Sequence, residues 1–227
     1  MICEILLPKP IEKTFYYKTS KFLETGIVVR VEFKSKKVVG VVIKTHTEKI
    51  YNKPLKFIDS ILSSTPLPNE ILKSTEFVAR YTCNFRSLIL KLFLSGFERN
   101  STFQFEKSLL KKPKKLELSN EQMKAIENLK NLGNKFKVAV LHGVTGSGKT
   151  RVFMSLVKEK LLNGFQCLIL VPEIILTSEW VKEIEEDFSI SPIIYHSSIN
   201  KKKREEICKA IFNKNINFII GTRSALT

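Results

Sequence analysis

The sequence predicts an α/β protein with a small β-rich amino-terminal domain followed by a lobe that contains a parallel sheet. The first observation is a series of short runs rich in Val and Ile within residues 1–60. The second is a glycine-rich segment, Gly143–Thr150, that lies between an apolar run and a helical pattern. The third is the alternation of apolar runs and amphipathic segments after that point, which is typical of repeated βα units.

Composition and charge narrow the class of protein. The formal net charge is +16, and residues 1–117 hold 22 Lys and Arg against 11 Asp and Glu. Such an excess favours nucleic acid as a partner, with compositional drift in a Lys-rich chain as the alternative. The apolar runs are too short to cross a bilayer, the first residues do not resemble a signal peptide, and the four cysteines are far apart in sequence. We therefore expect a cytoplasmic protein that does not contact membranes.

Residues 1–98 are expected to form the first domain. Apolar runs at Ile2–Leu7, Gly26–Phe33, Val38–Lys44 and Leu55–Leu62 predict strands. The basic turn Lys34–Lys37 predicts a hairpin between the second and third runs. Several short strands in so short a stretch indicate a small barrel or sandwich.

Two helices are predicted to complete this domain, at Asn69–Cys83 and Leu88–Leu94. Their aromatic side chains are expected to pack them against the sheet, and these are Phe77, Tyr81, Phe85 and Phe93. Residues 99–117 then read as a basic linker. Its run Lys111–Lys115 fits a solvated tether, with a phosphate-contacting arm as the alternative.

Residues 118–227 are expected to form the second domain. Ser119 and Gln122 have the spacing of a helix capping box, Lys137–Leu141 predicts a buried strand, and Val152–Leu162 predicts a helix. Further strands and helices are predicted in alternation at Cys167–Val171, Thr177–Phe188, Ile193–Tyr195, Lys201–Phe212 and Asn217–Ile220. This order predicts a parallel sheet covered by helices on both faces.

The segment between the predicted strand and helix is a complete phosphate-binding loop, G-x-x-x-x-G-K-[ST]. Glycines allow the backbone to turn its N–H groups toward phosphate oxygens, and the start of the helix adds a positive dipole end. Lys149 can reach the β- and γ-phosphates, while the Thr150 hydroxyl can bind Mg²⁺. The pattern predicts binding of a nucleoside triphosphate by Gly143, Val144, Thr145, Gly146, Ser147, Gly148, Lys149 and Thr150.

Beyond this loop, several strings resemble one family. The second domain carries Val171-Pro172-Glu173-Ile174, Leu176-Thr177, His196-Ser197 and Gly221-Thr222-Arg223-Ser224-Ala225-Leu226. In this order they resemble the primosomal protein N′, or PriA, family of bacterial replication-restart helicases in superfamily 2. In the first domain, Leu7-Pro8, Thr14–Tyr17, Val29–Phe33, Gly40 and Lys56 resemble the family's DNA 3′-end-binding domain.

The resemblance implies a RecA-like P-loop lobe and a role for particular residues. Gln122 would contact the adenine of ATP, or only cap its helix. Phe15 and Lys56 would contact DNA in the first domain. Single-stranded DNA would lie against the second domain at Pro172, Glu173, Thr177, Gly221, Thr222, Arg223 and Ser224. Structural alternatives stay open for two residues: Glu173 could orient its loop, and His196 could be a packed surface residue.

The chain also departs from the family pattern. Tyr16 and Lys34 stand where the family shows Asp and Gly, and Arg151 stands where Glu usually follows the loop. The D-E-E-H motif, the second motor lobe and the family's zinc-binding cysteines are absent from these 227 residues. The resemblance implies ATP-driven unwinding of forked DNA, with other primosome proteins and single-stranded-DNA-binding protein as further partners. The alternative is a truncated fragment that binds DNA and nucleotide without catalysis; a small-molecule P-loop kinase is disfavoured.

Overall fold

The computed structural model describes residues 1–47, 54–97, 117–133 and 135–226, which fall into two compact units. The predicted linker at 99–117 lies, apart from residue 117, outside the described residues. No helix among the described residues is long and apolar enough to cross a membrane.

The first unit contains an antiparallel sheet, as its Val- and Ile-rich runs predict. The described strands pair in the order β2-β1-β4-β3-β5. Their bounds are β1 Ile2–Leu6, β2 Phe15–Lys18, β3 Val28–Phe33, β4 Lys36–His46 and β5 Ser60–Ile61. Alternate residues enter one core, among them Cys3 and Ile5 of β1 and Val29 and Val31 of β3, as the two-residue period of a strand requires.

The predicted hairpin is confirmed, with a tighter turn than expected. Phe33 pairs with Lys36, so the turn consists of Lys34 and Ser35, whose φ angles are 47° and 61°. The predicted strand at Leu55–Leu62 is mostly wrong, because regular pairing is confined to Ser60–Ile61. A single bridge joins Phe57 to Lys18 at the end of β2, a strand that the sequence reading did not predict.

Both predicted helices of the first unit are present, as α1 Asn69–Tyr81 and α2 Arg86–Phe93. The expectation that their aromatic side chains fill the core is wrong for Phe77 and Tyr81, which are 68% and 81% exposed. The buried face of α1 consists of Leu72, Thr75 and Ala79. The helical period turns Phe77 and Tyr81 to the opposite side, where their rings stack with centroids 6.0 Å apart. Phe85 is also exposed, and Phe93 is half-buried.

The second unit contains a parallel sheet with the described order β6-β8-β7, which confirms the predicted βα alternation. The elements of this part of the chain are α3 Asn120–Lys130, α4 Lys149–Leu162, β6 Cys167–Leu170, α5 Ser178–Phe188, β7 Ile193–Tyr195, α6 Lys201–Phe212 and β8 Phe218–Gly221. Within α6, residues Arg204–Cys208 group with the first unit. Met154 of α4, Ile184 of α5 and Phe218 of β8 belong to one buried cluster. Two helices and the sheet therefore share a hydrophobic core.

One prediction for this unit is wrong, and another holds only in part. Lys137–Leu141 is not a strand, and its Val138 and Val140 side chains are 80% and 87% exposed. Among the described residues no strand pairs with this segment, so its backbone groups lack the partners that a strand requires. The predicted cover on both faces of the sheet holds for β8, which is buried along its length, but not for β6, where Leu168 and Leu170 are exposed while Cys167 and Ile169 pack into the core.

Candidate nucleotide site and nucleic-acid interface

The phosphate-binding loop has the backbone shape that its glycines allow. Gly146 and Gly148 have φ angles of 80° and 76°, in the left-handed region that favours glycine. A Cβ atom on Gly143 would lie 2.8 Å from Ser147 Oγ, so this glycine keeps the loop narrow. Helix α4 begins at Lys149, immediately after Gly148, so the amino-terminal end of the helix directly follows the loop.

Lys149 closes the loop by bonding to its own backbone. The ammonium nitrogen donates to the carbonyl oxygens of Gly143 and Val144, both at 2.7 Å. The charge that would face the phosphates is therefore already held inside the loop. Exchange of these carbonyls for phosphate oxygens would replace neutral acceptors with charged ones, which make stronger hydrogen bonds.

Gln122 connects the start of α3 to the loop. Its side chain accepts a hydrogen bond from the Ser119 N–H at 3.0 Å, and the Ser119 hydroxyl accepts from the Gln122 N–H, which confirms the capping box. The same amide donates from Nε2 to the Ser147 carbonyl oxygen at 3.1 Å. A Cβ on Gly148 would lie only 2.2 Å from this Nε2. Gln122 thus caps a helix and contacts the loop at once.

A pocket opens beside the loop, lined on one side by Thr145, Gly146, Gly148, Lys149 and Thr150. Residues of α5, among them Trp180, Glu183 and Asp187, contribute its other wall, and Arg151 also lines it. The sequence reading missed these α5 residues. No local signal in the sequence could have found them, because α5 comes next to the loop through tertiary packing.

A second cleft lies at the carboxyl ends of the three parallel strands. The strand ends are held together by two hydrogen bonds, from Val171 N–H to the Gly221 oxygen at 2.9 Å and from Thr222 N–H to the Tyr195 oxygen at 3.1 Å. A Cβ on Gly221 would lie 2.7 Å from the Tyr195 oxygen, so the close approach of β7 and β8 needs glycine.

This strand-end cleft collects part of the predicted DNA-contacting set. Glu173, Thr177 and Thr222 line it. Pro172 is exposed next to Glu173. Arg223 and Ser224 begin the short helical turn that follows Thr222. The Thr222 hydroxyl lies 3.1 Å from the Ser224 hydroxyl. The cleft is also lined by Lys182, His196, Ser197 and Ser198. Of these four residues, only His196 was a candidate for any role from the sequence.

In the first unit, Phe15 and Lys56 lie in different surroundings. The half-buried Phe15 ring packs edge-on against Phe33, with centroids 4.8 Å apart. The Lys34 ammonium lies 5.8 Å from the Phe33 ring centroid, so Lys34 joins this aromatic pair. Lys56 instead donates to Glu32 Oε1 at 2.6 Å, with both side chains largely exposed. Tyr16 lies with its ring 6.4 Å from that of His46.

Ionisable groups around this sheet respond to burial and to neighbouring charge. Burial, and then the Glu32 carboxylate, raise the pKa of Tyr17, so its hydroxyl stays protonated and donates to the Glu32 carbonyl oxygen at 3.0 Å. A hydrogen bond from Lys37 lowers the pKa of the Asp59 carboxyl, which lies 2.8 Å from that ammonium. Burial raises the pKa of the Cys3 and Cys167 thiols. Within the described residues no group of His, Cys, Asp and Glu is arranged to hold a metal ion.

Comparison with known proteins gives two family matches that together cover most of the chain. A model of the PriA 3′ DNA-binding domain matches residues 4–95. A DEAD/DEAH box helicase model matches residues 119–227. The second match implies nucleotide binding, and the first implies DNA binding.

Individual relatives carry the name replication restart protein PriA. The protein from Rickettsia prowazekii is 30% identical over 99% of this chain and 35% of its own length. The protein from Bacillus subtilis is 29% identical over 69% of this chain and 20% of its own length. The protein from Helicobacter pylori strain J99 is 28% identical over 93% and 32%. The chain thus spans about a third or less of the length of these relatives.

Proposed function

The chain belongs to the PriA family and corresponds to its amino-terminal portion, and from this premise we propose that it binds DNA through its first unit and ATP through its second. The activity that these parts would serve is ATP-driven unwinding of forked DNA during replication restart. The observation that carries the proposal is the intact phosphate-binding loop, which opens a helix in a chain that also contains a 3′ DNA-binding domain.

In the nucleotide complex, Lys149 would leave the Gly143 and Val144 oxygens and contact the β- and γ-phosphates. The loop N–H groups and the first turn of α4 would hold the remaining phosphate oxygens. Gln122 lies within reach of the loop through Ser147, so adenine recognition would use the second proton and lone pair of its amide.

The residues present fit a Mg²⁺ ion that arrives with the nucleotide. The Thr150 hydroxyl lies in the first turn of α4, on the pocket beside the loop, and hard oxygen donors suit this ion. When bound, Mg²⁺ would neutralise charge on the phosphates. Thr150 would supply an oxygen ligand to it, and Lys149 would contact the phosphates.

For DNA, we propose two contact regions, one in each unit. In the first unit they are Phe15 and Lys56, supported by the match to a 3′ DNA-binding domain. In the second unit they are the strand-end residues Pro172, Glu173, Thr177, Gly221, Thr222, Arg223 and Ser224. The support here is geometric, because three of these line one cleft with Lys182 and the hydroxyl groups of Ser197 and Ser198.

A second candidate function is nucleotide and DNA binding without rapid turnover. Hydrolysis needs a carboxylate that holds Mg²⁺ and aligns the attacking water. Among the described residues that line the pocket beside the loop, the carboxylates are Glu183 and Asp187, which both lie on α5. Glu173, in the turn that follows β6, lines the other cleft. This arrangement favours binding over catalysis for the chain alone.

The experiment that tests both candidates is nucleotide binding and phosphate release with single-stranded DNA present. Trp180, the single tryptophan, lines the pocket and should report ATP through its fluorescence. We expect weak binding that Lys149→Ala abolishes, and little release of phosphate. DNA-stimulated release that disappears in both Lys149→Ala and Glu173→Gln would show that Glu173 is catalytic. An unchanged Trp180 signal and ATP affinity in Lys149→Ala would contradict the nucleotide site itself.

We further propose a cytoplasmic location and contacts with other primosome proteins and single-stranded-DNA-binding protein. The support is the family name of the relatives and the presence of isolated thiols, which suit a reducing compartment. Co-purification from a cell extract after nuclease treatment would separate direct protein contacts from contacts that DNA mediates.

A further inference from the structure

Phe57 is an aromatic residue of the first unit that does not belong to the proposed DNA contacts. Its side chain is 64% exposed. The backbone on both sides of it is fixed, because Lys18 N–H donates to the Lys56 oxygen at 2.8 Å and Ile58 N–H donates to the Lys18 oxygen at 3.0 Å. The backbone that carries the ring is therefore held beside the end of β2, so it does not have to be ordered when a ligand binds.

Two lysines are neighbours of Phe57, one in space and one in sequence. The Lys18 ammonium lies 5.8 Å from the ring centroid, close enough for a cation–π interaction. Lys56 precedes Phe57, and its pair with Glu32 is exposed on both sides, so a phosphate can compete for its ammonium. A single exposed apolar residue is ordinary on a protein surface. An exposed ring that contacts one lysine and directly follows another, in a segment that matches a DNA-binding domain, is a more specific combination.

We propose that Phe57 is a stacking surface for an unpaired base of single-stranded DNA, with Lys18 and Lys56 contacting the adjacent phosphates. This inference rests on the DNA binding proposed above. It adds a contact residue and specifies that the DNA is single-stranded. Base faces are covered in a duplex and free in a single strand, so the ring selects the latter. The flanking ammonium groups match a phosphodiester backbone better than the surface of a partner protein.

The test uses the full chain and a single-stranded oligonucleotide that contains 2-aminopurine, whose fluorescence is quenched by stacking. Phe57→Ala should weaken binding about tenfold and remove the protein-dependent quenching, as expected for the loss of one aromatic–base stack. Phe57→Tyr keeps the ring and should retain both. Phe77→Ala is the matched control, because it removes another exposed phenylalanine of the same unit, and it should bind as the wild type does.

The dependence on salt separates stacking from charge. Phe57→Ala should leave the slope of log K against log salt unchanged, whereas Lys18→Ala should make it shallower by about 1. Wild-type affinity and quenching in Phe57→Ala would overturn the inference, as would an equal loss in Phe77→Ala. Failure of the wild-type chain to bind the oligonucleotide at all would instead overturn the proposed DNA binding.

Discussion

At the scale of single residues, Gln122 and Gly148 depend on each other. The Gln122 amide reaches the Ser147 oxygen only because Gly148 leaves space, since a Cβ there would lie 2.2 Å from Nε2. Gly148 also has a φ of 76°, which an alanine adopts at a cost. Two separate requirements thus fall on one glycine, and only the second can be expected from the loop motif alone.

This dependence predicts a particular pattern of stabilities. Gly148→Ala should cost about 1–2 kcal/mol for its left-handed backbone and about 1 kcal/mol more for the displaced Gln122 hydrogen bond. Gly164→Ala is the matched control, because Gly164 has a φ of 79° and a Cβ added there would meet nothing within 4 Å. Gly164→Ala should therefore lower the free energy of unfolding only by the cost of its left-handed backbone. Urea unfolding followed by Trp180 fluorescence measures both.

The decisive comparison is made in a Gln122→Ala background. There the hydrogen bond is already absent, so the extra cost of Gly148→Ala over Gly164→Ala should vanish. If Gly148→Ala still costs more than Gly164→Ala in the absence of the Gln122 side chain, the added Cβ is unfavourable within the loop itself. In that case the Gln122 hydrogen bond does not stabilise the loop.

The capping role of Gln122 could be predicted from sequence, whereas its contact with Ser147 could not. Ser119 and Gln122 are three residues apart, so their reciprocal hydrogen bonds follow from local helix geometry. Ser147 is 25 residues further along the chain, and that approach depends on how α3 packs against α4. The position of Trp180 could not be predicted for the same reason, because this residue comes next to the loop through tertiary packing.

At the scale of elements, local patterns predicted most helices and strands but not their surroundings. Ile193–Tyr195 and Lys201–Phe212 were predicted with their observed bounds. Lys137–Leu141 has an equally good apolar pattern, yet it is exposed and unpaired within the described residues. A strand is defined by its neighbours, which lie outside the window in which the pattern is seen. The same holds for a helix, because the pattern of α1 alone did not show that Phe77 and Tyr81 lie on its exposed face.

The β3–β4 hairpin carries a prediction at this scale. Lys34 and Ser35 both have positive φ, as in a type I′ turn, where non-glycine residues are strained. Lys34→Gly should therefore stabilise the hairpin by about 1 kcal/mol. Hydrogen exchange of the β3 and β4 amides should slow accordingly. Lys36→Gly, two residues on and inside β4, should instead speed exchange, because glycine weakens a strand. Faster exchange in both variants would mean that the turn is not strained.

At the scale of the whole molecule, charge and family matches agree on a nucleic-acid ligand. The basic excess is greater in residues 1–117 than in the rest of the chain, and the 3′ DNA-binding match falls within them at residues 4–95. Some of the lysines in this region are nevertheless paired with carboxylates on the surface, as in Lys37–Asp59 and Lys56–Glu32. Exposed pairs of this kind are weak, so phosphates can displace the carboxylates.

DNA binding by the full chain should therefore depend strongly on salt. If about 4 phosphates are contacted, log K should fall with log salt at a slope of roughly −3 to −4, because each contact releases a condensed counterion. Lys56→Ala removes one proposed contact and should make the slope shallower by about 1. Lys149→Ala also removes one positive charge, but from the nucleotide loop of the other unit, and should leave the slope unchanged. Fluorescence anisotropy of a labelled oligonucleotide across a salt series gives all three slopes. A slope near zero would show that phosphates do not dominate binding, and equal changes in both variants would show that net charge, not Lys56, sets the affinity.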